Sequence, residues 1–347
     1  RGLGRVWPNP AVGCVIVRDG KVVGRGRTSD GGRPHAERNA LSTAGDAANG
    51  ATAYVTLEPC AHHGETPPCV DALVEAGLSR VVVAHLDPDP RVSGKGIERL
   101  RSAGIDVAVG VSEGAARRLQ DGFLRRVSMG RPRLTLKLAM TLDGRIATAS
   151  GESRWITGPE ARRRVHVERA RSDAVLVGAG TARADDPDLT VRGLGIDRHP
   201  VRIVASRHLR LPRDGRLFQT ARDVPVWLLH GGADADDLAA WENAGVWLFQ
   251  VPSLASHLDL SEAFQMLGAA GLTRVYCEGG GTLAAALLAS DLVDELQVFS
   301  AGKLIGAEGQ PGVGALGLSR LEEAPRFDLL SLEHLGPDVL HRWIRRT

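Results

Sequence analysis

His35-Ala36-Glu37, followed by Pro59-Cys60 and then Cys69 in the spacing P-C-x8-C, constrains this chain more than any other feature in it. One imidazole and two thiolates form a three-ligand zinc set with an open fourth position. That is the catalytic rather than the structural pattern. The surrounding residues predict how the set is delivered: a helix His35–Ala44 carries His35 and Glu37, a β-run Ala53–Leu57 leads to Glu58-Pro59-Cys60, and Cys69 opens a helix Val70–Ala76. A helix N-terminus favours a thiolate. The competing reading is a closed structural zinc with His62 or His63 as fourth ligand. The order of the ligands, with Glu37 at an acid/base position, favours the open site.

Such a centre turns water into a nucleophile by lowering its pKa towards about 7. Glu37 is not counted as a ligand. It is read as the proton carrier, first from the water to a ring nitrogen and then to a leaving amine. These residues predict zinc-dependent hydrolytic deamination of a nucleobase-like ring.

At 347 residues the chain has room for two domains, and a net charge of +2 gives no polyelectrolyte signal for nucleic acid. Four cysteines, two of them in the metal motif, argue for a reducing, cytoplasmic setting without disulfides. Cys14 and Cys277 sit in apolar runs and are read as core. No run is long enough to span a bilayer, and no signal peptide is visible after Arg1.

The pattern divides near residue 130, giving an expected α/β three-layer domain over 1–129 and a second α/β domain over 130–347, with Ser128–Arg133 as linker. In the second domain, strands are expected at Leu134–Ala139, Ala174–Val177, Val201–Ala205, Val226–His230, Val246–Gln250, Arg274–Cys277 and Glu295–Ser300. Helices are expected at Glu160–Arg171 and Leu283–Leu288. Two glycine-rich turns, Gly178-Ala179-Gly180-Thr181 and Gly279-Gly280-Gly281-Thr282, follow strands and offer backbone N–H groups to a phosphate-bearing cofactor. Neither is the G-x-G-x-x-G fingerprint, so a Rossmann fold is not indicated. Arg207, just past a strand end, is a candidate reader of a 2′-phosphate that would select NADPH. The alternative is a solvated surface arginine.

Over nearly its whole length the chain resembles the bifunctional riboflavin biosynthesis deaminase-reductases. In the first domain the resemblance rests on Pro8-Asn9-Pro10-Ala11-Val12-Gly13-Cys14, His35-Ala36-Glu37, Thr56-Leu57-Glu58-Pro59-Cys60-Ala61-His62-His63-Gly64 and Thr66-Pro67-Pro68-Cys69. In the second it rests on Leu142-Asp143-Gly144-Arg145, residues 150–157, Ala184-Asp185-Asp186-Pro187 and Glu278-Gly279-Gly280.

The resemblance implies a cytidine-deaminase-like first domain and a dihydrofolate-reductase-like second domain. It implies zinc-dependent deamination of 2,5-diamino-6-ribosylamino-4(3H)-pyrimidinone 5′-phosphate. NADPH would then reduce the ribosyl group of 5-amino-6-(5-phosphoribosylamino)uracil to ribityl. By matched position it assigns His35, Cys60 and Cys69 to zinc, Glu37 to acid/base work, and Asn9 and His62 to the first substrate. Ala139, Trp155, Thr181, Asp185, Ser206 and the run Gly280, Gly281, Thr282, Leu283, Ala284, Ala285 and Ala286 fall at NADP positions. Ser153, Arg169, Leu189, Arg192 and Glu278 fall at substrate positions. Arg169 and Arg192 suit a 5′-phosphate, and Glu278 or Asp185 is open as a helper in the reduction. A homo-oligomer, dimer or tetramer, is expected by the same analogy.

Two positions depart from the family pattern: Glu65 stands where lysine or arginine is more frequent, and Asp89 where asparagine is usual. The rival functions are a nucleoside or tRNA deaminase, a reductase with a structural first half, and a non-catalytic zinc module. The x8 spacing between the cysteines and the low net charge speak against the first, the intact His35, Glu37, Cys60 and Cys69 against the second, and bound metal with no ammonia release from any aminopyrimidine would favour the third.

Overall fold

The computed structural model describes residues 1–63, 67–254 and 257–346, so Glu65 lies outside the described residues. The chain forms two compact units: Arg1–Arg131 together with Gly271–Thr273, and the remainder from Pro132 onward.

The first unit runs β1 (Gly13–Arg18), β2 (Lys21–Arg27), α1 (Ala36–Ala44), β3 (Thr52–Val55), α2 (Cys69–Glu75), β4 (Arg80–Val83), α3 (Lys95–Ser102), β5 (Asp106–Val109) and α4 (Glu113–Met129). Its sheet has the order β2-β1-β3-β4-β5. β1 is antiparallel to both neighbours, while β3, β4 and β5 are parallel. Ile16, Ala53, Val81 and Val83 of the strands pack with Ala40, Leu73 and Leu100 of the helices as a fully buried core.

The approach of α1 to this sheet is set by two glycines of β2. A Cβ at Gly26 would stand 2.0 Å from the Ala36 carbonyl oxygen, and one at Gly24 would stand 2.3 Å from that of Ala40. Any side chain there would push α1, and Glu37 with it, off the sheet. One expectation is corrected at the other end of the unit. Ser128 and Met129 belong to α4 rather than to a linker, because the helix continues until Gly130 (φ 74°) closes it in the left-handed conformation.

The second unit runs β6 (Arg133–Thr141), β7 (Arg145–Ala147), α5 (Pro159–Ala170), β8 (Ala174–Gly178), α6 (Ala179–Asp185), β9 (Val201–Ala205), α7 (Arg216–Gln219), β10 (Val226–His230), α8 (Ala235–Asn243) and β11 (Trp247–Gln250). It continues with β12 (Ser253–Leu254), β13 (His257–Leu258), α9 (Leu260–Ala269), β14 (Arg274–Cys277), α10 (Gly281–Ala289), β15 (Glu295–Ala301), β16 (Gln310–Pro311), β17 (Phe327–Leu335) and β18 (Asp338–Arg345). The main sheet has the order β11-β10-β9-β8-β14-β6-β15-β18-β17. All pairings from β11 to β15 are parallel, and the β17–β18 hairpin adds an antiparallel edge. Ala174–Val177 and Val226–Leu229 are buried throughout, as parallel strands covered on both faces require.

Helices α6 to α9 and the β17–β18 hairpin are absent from the sequence expectation. The first glycine-rich segment stands where a strand ends and a helix begins, with α6 starting at Ala179 and Gly178 as its cap.

Candidate active sites

Three segments carry the metal set. His35 caps α1 in extended conformation, Cys69 is the first residue of α2, and Cys60 lies in the loop after β3. Their ligand atoms lie within 4.8 Å of one another, and no other such His/Cys/Asp/Glu group occurs among the described residues. His35 Nδ1 is 3.6 Å from Cys60 Sγ and 3.3 Å from Cys69 Sγ. A tetrahedral zinc with arms of about 2.3 Å to sulfur and about 2.0 Å to nitrogen needs N···S edges of about 3.5 Å. The donor set therefore fits the ion. His62 is not part of this group, so the closed-site alternative finds no fourth ligand in it.

The Cys69 thiol donates to Cys60 and holds it down to about 4, while the same bond pushes Cys69 up. A bound cation would let both sulfurs be anionic. The Cys69 backbone N–H also donates to Cys60 Sγ at 3.3 Å. Glu37 is 3% exposed, and burial, with the Cys60 sulfur adding to it, pushes its carboxyl up to about 7. Cys14 on β1 is buried close enough to feel that carboxyl, which with burial raises its thiol well above the usual range.

Sequence reasoning misses what holds the Cys60 loop. The Glu58 carboxylate is buried and accepts four backbone N–H groups: Gly96 at 2.9 Å, Gly94 at 3.0 Å, Asp87 at 3.2 Å and Ile97 at 3.4 Å. A Cβ at Gly96 would stand 2.3 Å from the Pro59 carbonyl oxygen, so the start of α3 presses directly on the zinc loop. The available signal is an acidic residue immediately before Pro59-Cys60.

Asn9 Nδ2 packs against Gly32, where a Cβ would come within 2.1 Å of it, and the buried Nδ1 of His62 has no hydrogen-bond partner among the described residues. Asp89 is held below the usual carboxylate range by the fork of Arg91. The departure at Asp89 is therefore neutralised locally.

In the second unit the matched cofactor residues gather at the C-terminal ends of adjacent parallel strands. Ala139 is near the end of β6, Thr181 and Asp185 lie on α6 after β8, Ser206 follows β9, and Gly280–Ala286 follow β14 into α10. A Cβ at Gly280 would be 3.5 Å from Thr181 Oγ1, so the two glycine-rich segments lie side by side. Gly178 and Gly280 cap α6 and α10 without any side-chain bond to the first-turn N–H groups. Paired, uncapped helix starts fit a pyrophosphate. Trp155 is 62% exposed, with the Arg162 guanidinium 4.7 Å over its ring.

Among the matched substrate residues, Arg169 and Glu278 are joined directly. Arg169 Nε and Nη2 donate to the two carboxylate oxygens at 2.6 and 3.0 Å, and Nη1 donates to the Thr190 carbonyl at 2.8 Å. Burial alone would raise Glu278, but Arg169 and Lys137 outweigh it and leave the carboxyl lower than usual. Arg192 Nη1 instead donates to Asp188 at 2.7 Å, with the side chain 55% exposed. Leu189 is buried in left-handed conformation (φ 54°), and Ser153 is half-buried between β7 and α5.

Lys137 on β6 is the second residue that sequence reasoning misses. Desolvation pushes its ammonium down, and Glu278, Arg169 and Asp185 are its charged neighbours. A lone lysine inside the apolar strand Leu134–Ala139 is the signal that marks it.

Two family models match the chain: "RibD C-terminal domain" over residues 132–341 and "Cytidine and deoxycytidylate deaminase zinc-binding region" over residues 5–85. The riboflavin biosynthesis protein RibD of Escherichia coli is 45% identical over 98% of this chain and 94% of its own length. That of Aquifex aeolicus is 41% identical over 97% and 92%. Among solved structures, Acinetobacter baumannii RibD superposes with a TM-score of 0.89 at 40% identity, covering 100% of this chain and 95% of that one. A Thermotoga maritima diaminohydroxyphosphoribosylaminopyrimidine deaminase/5-amino-6-(5-phosphoribosylamino)uracil reductase gives 0.86 at 35% identity, covering 99% and 95%.

Proposed function

The chain belongs to the RibD family of riboflavin biosynthesis proteins, and from that membership we infer which of its residues perform each of the two reactions. It is a bifunctional enzyme, a zinc-dependent deaminase followed by an NADPH-dependent reductase. Its substrates are 2,5-diamino-6-ribosylamino-4(3H)-pyrimidinone 5′-phosphate and the uracil ribotide formed from it.

For the deaminase, His35 Nδ1, Cys60 and Cys69 hold the zinc. When bound, the ion acidifies water to about pKa 7 and so supplies the nucleophile. Glu37 takes that proton to the ring nitrogen and then delivers one to the departing amine. Its burial suits this work, because burial raises the carboxyl from its usual range and so lets it hold and hand on a proton. Glu58 fixes the loop bearing Cys60, and Asn9 and His62 hold the ribotide.

For the reductase, NADPH supplies the hydride that reaches C1′ of the sugar. The starts of α6 and α10, with Ser206 and Arg207, hold the cofactor. Arg192 reads the 5′-phosphate, with Ser153 and Leu189 beside it. Arg169 contributes mainly by fixing Glu278 as an anion that accepts from substrate hydroxyls. Glu278 so held is not a proton donor, and Asp185 is solvent-exposed. As the hydride adds to C1′ the C1′–O4′ bond breaks, and in this reading the proton that the freed 4′-oxygen takes comes from Lys137, whose ammonium gives it up more readily because it is desolvated.

The observation that carries the reading is the His35/Cys60/Cys69 cluster with Glu37 buried beside it. No helix is long and apolar enough to cross a membrane among the described residues. A cytoplasmic homo-oligomer is our further reading, tested by sedimentation. The deciding experiment supplies purified protein with the diaminopyrimidine ribotide, with and without NADPH and with and without a zinc chelator. Ammonia release should stop on chelation, while NADPH oxidation with the uracil ribotide continues. Ammonia release that survives complete removal of metal would defeat the deaminase reading.

A further inference from the structure

Helix α5 carries Arg162, His166 and Arg169 at i, i+4 and i+7, one stripe along one face. Each member reaches a different part of the reductase site. Arg162 stacks on Trp155, and Arg169 forks Glu278. Between them, His166 Nδ1 accepts the backbone N–H of Arg192 at 3.2 Å. The Thr190 carbonyl, two residues earlier, accepts from Arg169 at 2.8 Å. The segment 189–192 is thus tied to α5 by two consecutive turns of the helix, starting from Leu189 in a conformation that non-glycine residues rarely adopt. Arg192 itself has a half-exposed side chain that, among the described residues, is bonded to Asp188 alone, so its backbone is where its position is fixed.

We propose that His166 is a positioning residue for the reductase substrate: by accepting the Arg192 N–H it latches the 189–192 segment to α5 and aims the Arg192 guanidinium at the 5′-phosphate. This inference rests on the reading of Arg192 as the phosphate reader. The bond requires an unprotonated Nδ1, hence a neutral ring with its proton on Nε2. Burial first, then Arg169 on α5 and Arg192 on the facing segment, disfavour an imidazolium and outweigh Glu278 beyond β14 and the Thr190 backbone, which favour it. Glutamine offers a carbonyl oxygen to the same N–H, whereas alanine leaves it without an acceptor.

The test uses the full-length H166A, H166Q, R192M and H166A/R192M proteins, each checked for an unchanged melting profile. NADPH oxidation is measured against 5-amino-6-(5-phosphoribosylamino)uracil, NADPH affinity by fluorescence, and ammonia release from the first unit as an internal control. R192M should raise KM about tenfold, the scale of a lost charge-assisted phosphate contact. H166A should raise KM about fivefold with kcat within about twofold, H166Q should restore it, and H166A should add less than about twofold in the R192M background. Ammonia release and NADPH affinity should not move in H166A. If R192M raises KM and H166A does not, or if the two effects simply add, the latch is wrong while the phosphate reader stands. If R192M leaves KM unchanged, both fall.

Discussion

Glu37 in the first unit and Glu278 in the second are both carboxylates withdrawn from water, one on a helix that opens beside the zinc set and one just past a central strand. Their partners differ. Glu37 has sulfur on its polar side, and burial pushes it up to about 7. Glu278 has Arg169 in a two-point fork and Lys137 close by, and these overcome the same burial penalty. The first is therefore a group that exchanges protons, and the second a charge that stays in place. Burial alone does not make an acid/base catalyst; a two-point arginine fork fixes Glu278 as an anion, and Glu37 has no such fork among the described contacts.

The sharpest way to break this contrast is Glu37→Gln. The zinc should stay, and deamination should fall by about two to four decades, the usual range for general acid–base work. Metal content and ammonia release measure the two effects separately, and reduction of supplied uracil ribotide should continue. Deamination at the wild-type rate would mean that another group moves the proton. Next in size is Arg169→Ala. It strands Glu278 with Lys137 alone, and breaking a buried pair costs about 3–5 kcal/mol. The urea midpoint of the second unit should drop and reduction should fail, while ammonia release persists. A variant with an unchanged midpoint would show that Glu278 is not held by its arginine.

The same contrast explains what is legible in the sequence. The metal set is local chemistry in short segments: His35 and Cys69 sit at helix starts and Cys60 in the loop after β3, as residue type and spacing already indicate. The Arg169–Glu278 pair joins residues far apart in the chain through the sheet order, which periodicity does not encode. Sequence reasoning accordingly assigns Arg169 to a phosphate rather than to Glu278. Buried strands are legible because an apolar run such as Val226–Leu229 has few other outcomes. The hairpin Phe327–Leu335 and Asp338–Arg345 is not, because β17 is largely solvent-exposed and shows no clean alternation. Helix α9 has a readable start, with Asp259 accepting the Glu262 N–H, the aspartate counterpart of a capping box. Glu58 and Lys137 each stand as a charge where the surrounding pattern is apolar or structural, and a misfit of that kind is itself the sign of a role.

A smaller effect tests whether the second unit recognises its cofactor through fixed charge as well. The Arg207 carbonyl accepts the Gly231 N–H at 2.9 Å, and a Cβ at Gly231 would be 3.4 Å from Arg207 Cγ, so the start of this side chain runs close over the glycine. Arg207→Ala should raise KM for NADPH about tenfold, the worth of one charge-assisted contact, and leave NADH use nearly unchanged. Equal effects on both coenzymes would remove Arg207 as the 2′-phosphate reader.

Asp87 supplies the smallest and most diagnostic shift, because it repeats the Glu37 situation away from the zinc ligands. It is buried beside the Cys60 loop, accepts the Asp89 N–H at 2.9 Å, and has no cation bonded to its carboxylate among the described contacts. Burial first, with Asp89 and Glu58 adding, pushes it up to about 6. A carboxyl raised in the folded state binds its proton more tightly there than in the unfolded chain. Its favourable contribution is therefore complete below the unfolded pKa near 3.8 and is lost as pH rises through about 6. Asp87→Asn keeps the acceptor oxygen and removes the titration. Relative to Asp87→Asn, the wild-type melting temperature of the first unit should fall between pH 4 and pH 6, by about 4 °C if roughly 1 kcal/mol is at stake. The difference between the two proteins is the quantity to follow, since every other carboxylate titrates in both. A difference that stays flat across that interval would mean that an unrecognised cation faces Asp87, and the rule drawn from Glu37 and Glu278 would not extend beyond them.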